Sequence, residues 1–141
     1  MKSKPITIQT LIHASKTKVW EALTQPQHIV RWNAASDDWH TTKASVDMTI
    51  GGSFRSRMES KDGSQGFDFE GIYSDVEEFD HYRYILADGR QVLVTLIEQG
   101  KSIEVVEVFD PENMNSRELQ QQGWQSILNH LKEYVESEMY V

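Results

Sequence analysis

Apolar residues in the last part of the chain recur at helical spacing. Between Asn115 and about Met139, polar residues occupy the opposite side of the same helix, and Asn115 followed by Glu118 is typical of a helix N-terminus. At ~1.5 Å per residue this amphipathic helix would extend ~36 Å. It offers the largest apolar surface in the chain, which the preceding strands are expected to cover. Its apolar stripe consists of Leu119, Trp124, Ile127, Leu128, Leu131 and Val135.

The beginning of the chain shows a different periodicity. Apolar and polar residues alternate through residues 6–12, which predicts a first strand. Ser15 is a typical cap for a short helix, and Pro26 suits the first turn of a second short helix that continues to Trp32. The chain is therefore expected to begin with one strand and two short helices.

Residues 33–45 are interpreted as a loop that carries Trp39 and His40. Two bulky rings cost free energy when they are left in water. The loop is therefore expected to fold back over the rest of the protein.

The strongest local signal is Asp62-Gly63, a pair typical of a two-residue hairpin turn with positive φ angles. This turn places Arg57 opposite Asp68 and Met58 opposite Phe67. Opposite charges then share one face of the hairpin and apolar residues share the other, which a register shifted by one residue would not achieve. The apolar face consists of Phe54, Ser56, Met58, Phe67, Phe69 and Gly71.

Two further turns complete the sheet. Asp88-Gly89 joins the strands 82–86 and 92–96, and the turn at Gly100 leads into a strand over 103–109 whose faces are both largely apolar. The order of elements predicts an α+β fold in which a curved antiparallel sheet wraps around the long C-terminal helix. We expect one domain over residues 1–141, with a ligand cavity between sheet and helix.

Composition excludes several classes of function. The chain has 14 Lys and Arg against 22 Asp and Glu, a net charge of −8, which argues against nucleic acid and anionic membrane surfaces as partners. It contains no cysteine, so it has no disulfide and no thiolate metal site. No apolar run approaches the ~18 residues of a membrane span. These features predict a cytoplasmic protein that does not insert into membranes.

Few residues suggest metal or cofactor chemistry. The five histidines lack the spacing of a metal motif, so neither a metal nor a cofactor is expected. Gly51-Gly52 is too short to bind phosphate and is interpreted as a bulge or close packing at the start of a strand. Gly123 weakens the last helix by ~1 kcal/mol relative to alanine. Either close approach of a strand or room for a ligand would explain it.

Five short motifs together carry a family resemblance. They are Val19-Trp20-Glu21-Ala22-Leu23, Arg31-Trp32, Gly51-Gly52-x-Phe54, Phe69-x-Gly71-x-Tyr73 and Gly123-Trp124. In this order they resemble the SRPBCC/START-like superfamily, and in particular the C-terminal domain of the activator of heat-shock protein (Hsp) 90 ATPase. The stretch from Trp32 to His40, with Arg57-Met58-Glu59 and Gly66-Phe67-Asp68-Phe69, resembles a bacterial subgroup of uncharacterised proteins.

The resemblance implies a helix-grip fold with a deep cavity, but no single activity, because members of the superfamily bind lipids or aromatic polyketides, cyclise polyketides, or assist a chaperone. We expect binding of a small hydrophobic or aromatic molecule, lipid-like or polyketide-like. The expected cavity residues are Trp32, Trp39, His40, Phe54, Met58, Phe67, Phe69, Trp124 and Leu128.

Two alternatives remain open. A cyclase-like enzyme would use His40 with Asp68 or Arg57 to move a proton, and these two charged residues would then form the polar end of the cavity. Otherwise Arg57 and Asp68 belong to a solvated outer face of the hairpin, with pairs worth ~0.2–1 kcal/mol.

A chaperone-interacting module is the second alternative. It is disfavoured because the chaperone activator joins this domain to an N-terminal one for which this chain has no room.

Overall fold

A computed structural model describes residues 4–137 of the chain. Three helices and seven strands follow the order that the sequence pattern predicts, with one additional strand in place of the predicted loop. Their bounds are β1 Ile6–Ile12, α1 Lys16–Thr24, α2 Pro26–Trp32, β2 Trp39–Val46, β3 Ser53–Ser60, β4 Gly66–Glu77, β5 His81–Leu86, β6 Gln91–Gln99, β7 Ser102–Phe109 and α3 Arg117–Glu136.

The seven strands form one antiparallel sheet in the order β1-β7-β6-β5-β4-β3-β2. The sheet curls into a half-barrel, and α3 lies in its concave side. The apolar stripe of α3 and the inward residues of the central strands form the core, in which Phe109, Leu131 and Val135 are at most 1 % exposed. The predicted α+β helix-grip fold is confirmed.

The predicted hairpin register is also confirmed. Arg57 pairs with Asp68 and Met58 with Phe67, as the sequence indicates. The turn itself differs, because only Gly63 has a positive φ, of 78°, and the first backbone hydrogen bond joins Ser60 to Gln65. The four-residue loop between them has the same centre as a two-residue turn, so the register is unchanged.

Hydrogen bonds within this loop fix its shape. The carboxylate of Asp62 accepts hydrogen bonds from the hydroxyl and the N–H of Ser64, at 2.7 and 2.9 Å, and from the hydroxyl of Ser60 at 2.8 Å. These hydrogen bonds favour the ionised form and lower the pKa of Asp62 to about 2.

The predicted loop over residues 33–45 is wrong in its second half. Residues 39–46 form β2, the edge strand, which pairs with β3 through a bulge between Thr41 and Lys43. Bulges and polar side chains are common on edge strands, where they discourage pairing with another chain. The Thr-rich and β-branched composition of this stretch favours a strand, but its irregular alternation does not reveal one.

The long helix begins one residue later than predicted. Ser116, rather than Asn115, is the N-cap, and its hydroxyl accepts a hydrogen bond from the N–H of Leu119 at 3.1 Å. The predicted end at Met139 lies outside the described residues, and the helix ends at Glu136.

The first turn of α3 also departs from the predicted stripe. Leu119 is 56 % exposed, while the neighbouring Gln120 is buried. The amide of Gln120 holds the preceding segment through hydrogen bonds to the carbonyls of Glu112 and Asn115 and to the N–H of Glu112. Burial of a polar residue is tolerated here because its side chain is fully hydrogen-bonded.

Gly52 confirms the interpretation of close packing at a strand start. A Cβ on Gly52 would lie 2.4 Å from the carbonyl oxygen of Asp47, closer than real atoms approach. Gly51 next to it has a φ of 88°, which side chains rarely adopt. Together the two residues form the tight connection between β2 and β3.

Close packing does not explain the glycine at position 123 in α3. A Cβ at this position would meet no atom within 4 Å, so close approach of a strand does not explain the glycine. The variant Gly123→Ala is expected to increase the free energy of unfolding by ~1 kcal/mol, because alanine loses less backbone entropy in a helix. Urea denaturation checks this, and a destabilised variant would show that the helix packs more tightly here than the structure indicates.

Candidate functional site

A cavity of about 330 Å³ lies between the concave side of the sheet and α3. Its wall is mostly apolar and aromatic. Side chains reach it from alternate positions of β3, β4 and β5, whose other face points to solvent, and from one side of α3. Leu23 of α1 and Ile29 of α2 complete the wall.

Seven of the nine predicted cavity residues line this space. Phe54 and Met58 come from β3 and Phe67 and Phe69 from β4, all on the apolar face that the hairpin register assigns. The seven are Trp32, Phe54, Met58, Phe67, Phe69, Trp124 and Leu128.

Trp124 lies between the sheet and the cavity. Its ring stacks on Phe109 with a centroid separation of 4.0 Å and an interplanar angle of 9°, and it meets Phe69 edge-on at 6.2 Å. The residue is half-buried rather than fully enclosed, since one part of the ring faces the cavity. The predicted orientation of Trp124 toward the sheet is confirmed.

His40 and Trp39 do not line the cavity, contrary to the sequence-based expectation. Both lie along a separate open groove between α2, the start of β2 and α3, together with His130 and Lys61. The ring of Trp39 contacts Phe67 at 5.8 Å, and Phe67 is 49 % exposed at the rim of the cavity. Because these residues belong to a strand rather than a loop, Trp39 covers the outside of the rim instead of closing over the mouth.

Arg57 and Asp68 do not form the polar end of the cavity either. Their side chains point to the outer face of the sheet, where an Arg57 nitrogen lies 3.5 Å from Asp68 and another lies 3.0 Å from Glu59. Arg55 and Glu70 form a similar pair at 2.7 Å on the same face. Strand alternation requires this arrangement once Met58 and Phe69 point inward.

The acidic group in the cavity is instead Glu107, which the sequence interpretation missed. On β7 it occupies the same face as Val105 and Phe109, so its carboxyl points toward the cavity. Burial away from bulk water raises the pKa of this carboxyl to about 7. A signal was present in the sequence, because Glu107 interrupts the apolar series Ile103, Val105, Phe109 at every second position.

Three tyrosines accompany this carboxyl. Tyr82 and Tyr84 on β5 have nearly parallel rings, with a centroid separation of 6.3 Å and an interplanar angle of 20°, and Tyr73 on β4 meets both of them edge-on. Register places Glu107, Val94 and Tyr82 in one row across β7, β6 and β5. We call Tyr73, Tyr82, Tyr84 and Glu107 the tyrosine–glutamate cluster.

The polar atoms of the tyrosine–glutamate cluster have no partner within residues 4–137. Every fully buried side-chain nitrogen or oxygen in this part of the protein has a hydrogen-bond partner, whereas none of these four side chains forms a hydrogen bond. Their polar atoms therefore open onto the cavity. Burial raises the pKa of all three tyrosine hydroxyls, and the nearby carboxyl of Glu107 adds to this effect for Tyr82 and Tyr84.

Arg90 also reaches the cavity wall, where its charge partly offsets the rise in the pKa of the Tyr84 hydroxyl. Its Nε atom donates a hydrogen bond to Asp88 at 2.7 Å, in the turn between β5 and β6. Burial alone raises the pKa of Glu107, which indicates that Arg90 does not neutralise that carboxyl.

Neither a metal-binding cluster nor a membrane-spanning helix occurs within the described chain. Residues 4–137 contain no group of three or more His, Asp or Glu side chains placed to hold a metal ion. The helices of this same region are too short or too polar to cross a membrane.

A curved sheet that holds a long helix over an aromatic-lined cavity defines a helix-grip protein. The sequence model of the family described as "Activator of Hsp90 ATPase homolog 1-like protein" matches residues 13–136. This chain therefore belongs to that family, within the SRPBCC superfamily, as the sequence motifs indicate. No curated protein matches the chain significantly.

Solved structures of bacterial proteins are similar to this chain over nearly its whole length. The solution structure of an AHSA1-like protein from Aeromonas hydrophila is 40 % identical, has a TM-score of 0.88 and matches over 96 % of each chain. A protein from Cytophaga hutchinsonii is 42 % identical with a TM-score of 0.83, covering 97 % of this chain and 95 % of that one. A protein from Chromobacterium violaceum, 20 % identical with a TM-score of 0.84 over 96 % and 100 % of the chains, shares the fold.

Proposed function

We propose that this protein binds a small hydrophobic or aromatic molecule in the cavity between the sheet and α3. The observation that carries the proposal is the cavity itself, about 330 Å³ with an aromatic wall, within the size range of small-molecule sites. A well-packed core has few voids larger than a water molecule, so a space of this size costs packing energy that a ligand would restore.

The shape of the wall supports a flat ligand. Phe54 contacts Phe69, Tyr73 and Tyr84 at centroid separations of 4.7 to 5.7 Å, which leaves ring faces and edges along one side of the space. Trp124 of α3 adds a further ring to the wall, edge-on to Phe69. Aromatic walls recognise planar apolar bodies by contact area and by offset or edge-to-face stacking.

Filling the cavity is expected to abolish this binding. Ser56 is 5 % exposed and lines the cavity from β3, so Ser56→Phe places a ring in the ligand space. The matched control is Ser53→Phe, because Ser53 lies on the same strand and points to solvent. Planar aromatic and fatty compounds are titrated by calorimetry, with melting temperature as a second readout, since a ligand at 100 times its Kd adds ~2.7 kcal/mol of stability.

We expect micromolar binding to the natural protein and to Ser53→Phe, and at least a tenfold loss for Ser56→Phe. If Ser56→Phe does not fold, Ser56→Val fills less space and is expected to weaken binding less. Equal affinity for Ser56→Phe and the natural protein would place the bound compound outside the cavity, and the proposal would be wrong.

The cyclase-like alternative loses support because its residues lie elsewhere. His40 lines a separate groove, and Arg57 and Asp68 lie on the outer face of the sheet. A proton-transfer reaction inside the cavity would have to use the tyrosine–glutamate cluster instead. Mass spectrometry of compounds recovered after binding checks for turnover, and we expect them unchanged.

The chaperone-interacting alternative comes from the family description alone. No surface of residues 4–137 identifies a chaperone as the partner, and we propose the small molecule as the partner of this chain.

A further inference from the structure

We propose that the tyrosine–glutamate cluster makes this cavity selective for an organic cation, an apolar or aromatic molecule that carries a protonated amine. The inference rests on the proposed binding function and identifies the chemical class of the ligand. It is carried by a carboxyl that points into an apolar cavity without any protein partner among residues 4–137.

The position of Glu107 gives the first argument. Among residues 4–137, Glu107 is the one acidic side chain and Arg90 the one basic side chain that line the cavity, and Arg90 is bound to Asp88 at 2.7 Å. A carboxylate in such surroundings lacks the counter-charge that buried ions ordinarily have. A ligand ammonium group would supply this counter-charge and at least one charge-assisted hydrogen bond.

The tyrosine rings give the second argument. Glu107 and Tyr82 are two strands apart in one row, a separation of ~10 Å between backbones, and the small Val94 lies between them. Both residues line the cavity, so the carboxyl of Glu107 and the stacked rings of Tyr82 and Tyr84 border the same space. Aromatic faces attract cations through their quadrupole, and this attraction increases when water is excluded.

The tyrosine hydroxyls extend the same chemistry. None of the three donates to or accepts from another protein group in the described chain, so each remains available to a polar atom of the ligand. A neutral hydroxyl group on a ligand would also find acceptors here. Charge separates the two cases, because only a cation gains from both the carboxylate and the ring faces. The net charge of −8 adds a general attraction for cations over anions.

A matched pair of probes tests the proposal: 2-naphthylmethylamine, which is protonated at pH 8, and 2-naphthylmethanol, which is neutral and nearly identical in shape. Calorimetric titration at pH 8 is expected to show the amine binding at least tenfold more tightly than the alcohol. In Glu107→Gln the amine is expected to lose at least tenfold in affinity, while the affinity for the alcohol changes less than threefold.

Glu104→Gln is the matched control. Glu104 lies on the same strand as Glu107, but its side chain points to the outer face of the sheet. The Glu104→Gln substitution removes the same charge as Glu107→Gln. Its affinity for the amine should match that of the natural protein. Lowering the pH from 8 to 5 should weaken amine binding, because Glu107 becomes neutral while the cavity tyrosines, whose pKa values burial raises, stay protonated.

The outcomes separate this inference from the proposed function. If the two probes bind equally well, or if Glu107→Gln and Glu104→Gln weaken the amine by the same factor, the cation preference is wrong while the cavity remains a binding site. If neither probe, nor any compound of the wider set, binds the natural protein, both proposals are wrong. If the alcohol binds more tightly than the amine, the cavity prefers neutral ligands.

Discussion

At pH 8 the Glu107→Gln variant is expected to be more stable than the natural protein by up to about 3 kcal/mol, beyond any difference between the two at pH 4. The pKa of this carboxyl is about 7 in the folded protein and 4.5 without burial. The folded state therefore holds its proton over a range in which the unfolded chain has lost it. One pKa unit corresponds to ~1.4 kcal/mol. The free energy of unfolding falls with rising pH wherever the folded state binds more protons than the unfolded chain.

The sign follows directly from this difference. Below pH 4.5 both states of the natural protein carry the neutral acid, so Glu107 imposes no electrostatic cost. As the pH rises from 4.5 through about 7, the natural protein loses the stability that comes from the neutral acid, because the folded state must finally accept a charge that burial disfavours. Glutamine cannot ionise, so the variant should not show the loss. The value of 3 kcal/mol is an upper bound, because water in the cavity would solvate the carboxylate.

Urea denaturation at pH 4, 6 and 8 provides the measurement. The quantity to compare is the change in unfolding free energy between pH 4 and pH 8, which cancels any constant effect of the amide. Glu104→Gln serves as the control, since its carboxyl points outward. Parallel pH profiles for Glu107→Gln and the natural protein would show that the carboxyl is solvated as in water.

If the protein becomes more stable when the charge of Glu107 is removed, the natural glutamate fits a functional role. Residues that lower stability are retained where binding or chemistry requires them. Under the proposed cation preference, a bound ammonium group would remove much of the cost of Glu107 at neutral pH. The natural protein should therefore gain more stability from the amine probe at pH 8 than at pH 5.

Replacing Leu131 with alanine is expected to cost ~2–5 kcal/mol of stability, as other large core truncations do. Leu131 has no exposed surface and lies on the side of α3 that faces the sheet, in the same cluster as Val135 and Phe109. The neighbouring strand β1 is paired with β7 along its whole length, so the surroundings of Leu131 cannot collapse fully into the space. Denaturation at one pH, with the slope of the transition as a check on folding, is sufficient to measure the loss.

Leu119→Ala gives the matched comparison on the same helix. Leu119 is 56 % exposed, so its truncation should change stability by less than ~0.5 kcal/mol. The sequence pattern places both leucines on one stripe, whereas the structure separates them. Similar losses for the two variants would show that the first turn of α3 is packed as the sequence pattern predicts.

The sequence was sufficient for the hairpin of β3 and β4 and for most of the cavity wall. One turn pair fixed the register, and the register sorted Phe54, Met58, Phe67 and Phe69 onto one face because side chains alternate along a strand. Local signals of this kind depend only on neighbouring residues. The same holds for α2, whose start at Pro26 and end at Trp32 match the prediction.

The positions of His40 and Trp39 could not be derived in this way. A loop and an edge strand differ by pairing with a distant segment, and β2 pairs with β3 across a bulge that interrupts the alternation. Leu119 was misplaced for a similar reason. A helical stripe predicts which residues share a side, but the length of the side that the sheet covers depends on where the sheet ends.

What the sequence alone determined was the set of residues that share each face; what lies against each face was decided by tertiary structure. On β7, Ile103, Val105, Glu107 and Phe109 occupy one face, and Ser102, Glu104, Val106 and Val108 occupy the other, so each face carries one glutamate. The apolar series Ile103, Val105 and Phe109 favours the first face as the inward one. The neighbours of that face are set by α3, which packs against the concave side of a sheet whose curvature involves all seven strands. Glu107 therefore borders an open cavity, and not a filled core, because of contacts with distant segments that no local pattern on β7 encodes.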